Sequence, residues 1–152
     1  MNLHYVAGII DGEGYVSIDR NSRTGRSLVG KVVVQMSGAL IPKMLHRKFG
    51  GNYRTYKRNN PNQANAHTWA LNGSQARKFL KRIAPLLIIK KKQAQLVMAL
   101  YDSKDKAVSR NHPSDSRLAY QFRLYARAKA LCTRKGPKGG KNNAAIRSWK
   151  SR

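Results

Sequence analysis

The amino-acid sequence predicts an α+β fold, with a four-stranded antiparallel sheet covered on one side by helices. Three observations carry this. Apolar residues alternate between helical and two-residue spacing in the order α-β-β-α-β-β-α over residues 1–84. Clusters of Gly, Pro and Asn punctuate that order at residues 20–30, 50–51 and 59–65. Two further helices and a basic tail follow, so residues 1–131 read as one domain and 132–152 as a C-terminal tail.

Each element has a local reason. Leu3, Val6, Ala7, Gly8, Ile9 and Ile10 make residues 3–12 a short apolar helix. Tyr15-Val16-Ser17-Ile18-Asp19 alternates with the period of a strand, and a polar, basic connection runs from Arg20 to Gly30. Lys31 to Ser37 is a β-branched second strand between Gly30 and Gly38. Leu40 to Phe49 is apolar at 40, 41, 44, 45 and 49 and stops at Gly50-Gly51, a helix with its terminator. A strand from Asn52 to Arg58, a turn at Asn59–Gln63 and a returning strand from His67 to Leu71 follow, with Trp69 and Leu71 on the core side. Ser74 reads as the N-cap of a helix over 75–84, closed by Pro85. Lys90 to Val108 is the next helix, and Ser114 opens a last one reaching about Leu131. Residues 134–152, with seven basic residues, three Gly and one Pro, form the tail.

Charge decides the class of partner. Lys and Arg total 31 against six acids, a formal net charge of +25. Between Gly14 and Tyr101 there are 17 basic residues and one acid, Asp19. Folding does not need such a field and self-repulsion opposes it, so a polyanionic partner is implied. A membrane surface fits poorly, because the basic residues are spread over strands, loops and helices alike. A single cysteine, Cys132, excludes an internal disulfide framework and a multi-cysteine zinc site. His4, His46, His67 and His112 lie on four different elements without ligand spacing. The longest aliphatic run, Leu86-Leu87-Ile88-Ile89, is too short to cross a bilayer, and no secretory pattern opens the chain, so an intracellular location is expected.

The sheet has an outward face to carry that charge. On the second strand Val32, Val34 and Met36 point one way, and Lys31, Val33, Gln35 and Ser37 the other. Ser17 and Asp19 join the outward set on the first strand. The third strand leaves its parity open, with Arg54 and Tyr56 on one side and Tyr53, Thr55 and Lys57 on the other.

One segment carries chemistry. Val6-Ala7-Gly8-Ile9-Ile10-Asp11-Gly12-Glu13-Gly14 is a helix with small residues that ends in an acid–Gly–acid–Gly turn, and Glu13 is the only glutamate. Such a turn puts a carboxylate at a helix end, where it can hold a divalent cation against a phosphate. This segment resembles the signature of the LAGLIDADG homing endonucleases at all nine positions. The α-β-β-α-β-β-α order, the basic composition and Leu87-Ile88-Ile89-Lys90-Lys91-Lys92-Gln93-Ala94 extend the resemblance over residues 3 to about 108.

The resemblance implies a site-specific endonuclease that cuts both strands of a long, pseudo-palindromic duplex by metal-dependent hydrolysis. It implies Mg²⁺, or another divalent cation such as Mn²⁺, with Ca²⁺ supporting binding without cleavage, and no small-molecule cofactor. Glu13 matches the catalytic, metal-binding carboxylate, and the carbonyl of Gly12 a second ligand. Lys90 and Lys92 match basic residues that polarise the scissile phosphate or the attacking water. Asp11 matches a structural acid that closes the helix turn. A single motif implies a homodimer, paired through the first helix at Ala7, Gly8 and Asp11.

DNA contacts are expected from Ser17, Asp19, Arg20, Arg23, Arg26 and Lys31, and from Val33, Gln35 and Ser37. Arg54, Tyr56, Arg58, Asn60 and Gln63 extend them, and Arg134, Lys135, Lys138 and Lys141 add contacts from the tail. Related enzymes often carry a Gln just beyond the second strand, where this chain has Ser37-Gly38. Pro42-Lys43 occupies the region where a further basic residue is common. The alternative is a non-cleaving nucleic-acid-binding protein of the same fold, an RNA-splicing maturase or a DNA-binding regulator. A ribosomal-type RNA-binding protein would explain the charge but not the acid–Gly–acid–Gly turn.

Overall fold

The computed structural model describes residues 1–21, 27–58, 63–105 and 114–132. Its elements are α1 (Leu3–Glu13), β1 (Gly14–Arg20), β2 (Leu28–Met36), α2 (Leu40–Phe49), β3 (Asn52–Tyr56), β4 (Ala66–Asn72) and α3 (Gly73–Ile83). A 3₁₀ turn (Ala84–Leu86), α4 (Lys91–Asp105) and α5 (Asp115–Cys132) complete them. This is the α+β order that the hydrophobic periodicity predicts. The sheet is antiparallel throughout, in the order β1-β2-β4-β3, so two hairpins meet along β2 and β4.

Helices cover one face of this sheet. Val16 and Ile18 of β1, Val32 and Val34 of β2, and Trp69 and Leu71 of β4 are buried there. Val6 and Ile10 of α1, Leu45 of α2, Phe79 and Leu80 of α3 and Val97 and Leu100 of α4 belong to the same core. The Trp69 ring meets Phe79 edge-on at 5.3 Å between centroids, and its indole N–H donates to the Gly50 carbonyl at 2.7 Å. Its one polar atom is therefore satisfied inside the core. That bond depends on the turn after α2, where Gly50 and Gly51 both take positive φ (68° and 87°). A Cβ on Gly51 would also lie 2.6 Å from the Ala70 carbonyl oxygen, so no side chain fits.

The structure corrects three expectations. β2 starts at Leu28 and runs through Gly30, so the connection expected over 20–30 is shorter. The reason is α4: the Tyr101 hydroxyl accepts from the Gly30 N–H at 3.0 Å, and a Cβ there would clash with Val97 Cγ1. Gly30 marks a close approach inside a strand rather than the end of one. The N-cap of α3 is Asn72, not Ser74, because β4 passes directly into the helix through Gly73 at φ 65°. Finally, α5 packs against β1, the edge strand whose outer side the periodicity leaves open. Among the described residues no helix is long and apolar enough to cross a membrane.

Candidate active site

The acidic turn sits where α1 passes without a loop into β1. The Gly14 N–H closes the helix on the Ile10 carbonyl, and a Cβ on Gly14 would lie 2.5 Å from that oxygen. Only glycine fits, which pins the residue before it to the last position of the helix. That residue is Glu13. It is exposed and forms no ion pair among the described residues. The last turn of α1 contains no basic residue, so the negative end of the helix dipole and the carboxylate act together on any cation.

Asp11 does something other than close its own helix turn. Its carboxylate accepts from the backbone N–H groups of Ile88 at 2.8 Å and Lys90 at 2.9 Å. The Lys90 ammonium in turn donates to the Asp11 carbonyl. These bonds tie the turn before α4 to the end of α1 and hold a lysine amine two residues from Glu13. Lys92 is exposed in the first turn of α4 and, among the described residues, makes no hydrogen bond to α1.

The α1 surface divides differently from the expectation. Ala7 is 2% exposed and belongs to the chain's own core, so it does not face a second copy. At helical spacing the small residue at 7 falls on the same side as Val6 and Ile10, which the sheet covers. Tyr5, Gly8 and Gly12 form the exposed stripe, and a Cβ on either glycine would meet nothing within 4 Å.

Strand register settles the outward face of the sheet. Ser17 pairs with Lys31, Tyr15 with Val33, Gln35 with Thr68, and Thr68 with Arg54, while Tyr56 pairs with Ala66. Arg54 and Tyr56 therefore share the side of Lys31, Val33 and Gln35. Gln35, Ser37, Arg54, Tyr56, Arg58 and Gln63 are exposed, and Lys31 and Val33 half-buried. Two expected contact residues are not free. Ser17 is fully buried, with its hydroxyl on the Ile18 carbonyl at 3.3 Å. Asp19 pairs with Lys129 of α5 and lies 3.7 Å from Lys31. The physical reason is α5, whose Lys129 reaches Tyr15 and Asp19 on the side of β1 read as open. The Arg20 guanidinium lies 5.9 Å from the rings of Phe122 and Tyr125 on the same helix. Arg23, Arg26, Asn60, Arg134, Lys135, Lys138 and Lys141 lie outside the described residues.

Electrostatics along β1 follow from this packing. Burial lowers the affinity of the Lys129 amine for its proton, but its hydrogen bonds to Asp19 and Tyr15 outweigh that and hold it protonated well above the usual lysine range. Burial pushes the Tyr101 hydroxyl up, with the Gly30 hydrogen bond and Arg77 opposing it. Sequence reasoning misses both residues, along with Tyr15 and Thr68 on the outward face. The parity of Trp69 and Leu71 carries the signal for Thr68, since the residue between core positions of a strand points outward.

The donor set at the end of α1 fits a hard cation. A carboxylate and the carbonyl oxygens of a helix C-terminus suit Mg²⁺, Mn²⁺ or Ca²⁺ rather than zinc. Among the described residues no three of His, Cys, Asp and Glu group together to hold a metal ion.

No protein-family model and no curated protein matches the sequence. Solved structures do. The chain is similar to the homing endonuclease I-CvuI in complex with its target in the presence of Ca, at 20% identity and a TM-score of 0.68, over 90% of this chain and 83% of that one. It is similar to the archaeal intron-encoded homing endonuclease I-Vdi141I complexed with DNA, at 19% identity and a TM-score of 0.66, over 88% and 85% of the two chains. It is also similar to the LAGLIDADG homing endonuclease I-SmaMI bound to cleaved DNA, at 21% identity and a TM-score of 0.65. That match covers 97% of this chain and 48% of I-SmaMI. At these identities the likeness speaks to architecture, and the chain has the fold of the LAGLIDADG homing endonucleases.

Proposed function

We propose that this protein is a site-specific DNA endonuclease that acts as a homodimer and hydrolyses phosphodiester bonds with a divalent metal ion. The observation that carries the reading is Glu13, an exposed carboxylate at the end of α1, with the Lys90 amine held on the carbonyl of Asp11, two residues earlier in the same helix. A carboxylate at the negative end of a helix dipole is locally unfavourable, and among the described residues no ion pair offsets that for Glu13. Glu13 and the Gly12 carbonyl would hold the metal, which when bound activates water and stabilises the departing oxygen. Lys90 supplies positive charge next to the phosphate. Lys31, Gln35, Arg54 and Tyr56 would meet base edges and phosphates in the major groove, where Arg suits guanine and Gln suits adenine.

One chain supplies one such carboxylate, whereas a double-strand break needs two. A second copy set against Tyr5, Gly8 and Gly12 of α1 would bring the two Glu13 residues to one axis. The match to about half of I-SmaMI supports this, since a neighbour twice as long has room for two such units in one chain.

The test is Glu13→Gln, assayed on a randomised duplex library with Mg²⁺ and sequencing of cut ends. The wild type is expected to cut, and the variant to bind duplex without metal at least as well while cutting falls by several orders of magnitude. Cutting by the variant near the wild-type rate would overturn the assignment of Glu13.

A further inference from the structure

On the helical side of the molecule, α2 and α3 carry a cluster of exposed basic residues. α2 and α3 lie on the covered face, with Leu45, Phe79 and Leu80 turned into the core. Their opposite sides expose Lys43, Arg47 and Lys48 on α2, and Lys78, Lys81 and Arg82 on α3. The spacings (43 and 47; 78, 81 and 82) keep each set on one side of its helix. The two rows meet. Phe49 packs edge-on against Phe79 at 4.9 Å, and the Lys48 amine and Arg82 guanidinium lie 5.9 and 5.8 Å from the same Phe49 ring.

Lys43, Arg47, Lys48, Lys78, Lys81 and Arg82 form no ion pair among the described residues. The sequence has no Asp or Glu from Arg20 to Tyr101, so neither α2 nor α3 carries an acid of its own. Arg77, the other basic residue of α3, pairs instead with Asp102 of α4. An ordinary solvated helix face mixes signs, which avoids the repulsion that six like charges create. The chemistry on offer is also narrow. The Phe49 ring between the rows has Lys48 and Arg82 beside it, so the face presents cations rather than a stacking platform. It fits phosphates and does not read bases.

We propose that the α2–α3 face binds the phosphate backbone of a second segment of duplex DNA while the outward face of the sheet holds the first. The two faces lie on opposite sides of the core, so one straight segment cannot occupy both. Duplex DNA is the partner because a chain already held on that polymer meets neighbouring segments at high effective concentration. Lys and Arg rows then bind it independently of sequence, by counterion release. The surface would let the protein pass from one segment to another. The proposal rests on the reading of the sheet as the first DNA-binding face.

The test is a sandwich assay with the full chain and short mixed-sequence duplexes, one immobilised and one labelled in solution. The wild type is expected to capture the labelled duplex on the immobilised one. K78E/K81E/R82E should remain folded, with a melting temperature lowered by a few degrees at most as two cations leave the last turn of α3, and bind the immobilised duplex within about twofold of wild type. Its capture of the second duplex should fall by about a hundredfold near 0.1 M salt, because about three phosphates are no longer neutralised. K43E/R47E/K48E should behave in the same way. K31E/R54E should instead weaken binding of the first duplex, and failure of that arm alone would count against the sheet face, not the helical one. Absence of capture by the wild type, or undiminished capture by both helical-face variants, would overturn the proposal. So would tighter capture of a structured RNA hairpin than of duplex DNA at equal salt.

Discussion

Replacing Asp11 by Ala tests the link between the acidic turn and α4. The carboxylate accepts two backbone hydrogen bonds, at 2.8 Å from Ile88 and 2.9 Å from Lys90. A hydrogen bond to a charged acceptor contributes about 1.5–3 kcal/mol. The Ile88 N–H is exposed and can turn to water once the carboxylate is gone, so its share belongs at or below the low end. The Lys90 N–H is partly buried and is left without its partner, which costs more. Together the loss is about 2–3 kcal/mol, or about 4–12 °C in melting temperature for a chain of this size. Asp11→Asn keeps one acceptor oxygen but turns an N–H group toward the other donor, so it should fall between wild type and Ala. Urea and thermal unfolding of the three proteins measure this directly. An Ala variant whose midpoint stays within about 1 °C of wild type would refute the reasoning, because the turn before α4 would then hold without Asp11.

Three further outcomes are expected. Gly30→Ala drives a Cβ into Val97 Cγ1 and places it 2.9 Å from the Tyr101 ring, so chemical denaturation should show a loss of about 1–3 kcal/mol. Gly8→Leu meets nothing within 4 Å of its Cβ, so the folded chain should keep its stability or gain up to about 1 kcal/mol of helix propensity. In sedimentation the same variant should run as a monomer where wild type runs as a dimer, and a variant that still dimerises would exclude the Gly8 stripe as the contact. Lys129 has a folded pKa above its unfolded value, so its contribution is complete below the unfolded pKa and is lost as pH rises through the folded one. The stability gap between wild type and Lys129→Met, followed by urea unfolding, should therefore hold from about pH 7 to about pH 10 and close only in stronger alkali. A gap that closes below about pH 9 would contradict this.

The sequence by itself determined the order of elements, the inner face of each central strand and the acidic turn at the end of α1. Those features are local. Val32 and Val34 alternate, Gly50-Gly51 stops a helix, and an acid–Gly–acid–Gly run ends one, whatever packs around them. It also determined the net charge of +25, since charge counts do not depend on folding. Only the tertiary structure decided what distant residues do to one another. Ser17 has the right parity for an outward face, yet α5, about a hundred residues later, packs on β1, and Lys129 occupies Asp19. Ala7 looks like a small contact residue in the motif, but the sheet claims that side of α1 and leaves Gly8 and Gly12 outside. Asp11 finds its partners 77 and 79 residues away, on backbone N–H groups that carry no mark in the sequence. Gly30 has the look of a strand boundary, and it is Val97 and Tyr101 of α4 that give it a reason to lie inside one. Periodicity records which side of an element is apolar, while the identity of the neighbour on that side depends on how helices far apart in the chain stack on one sheet.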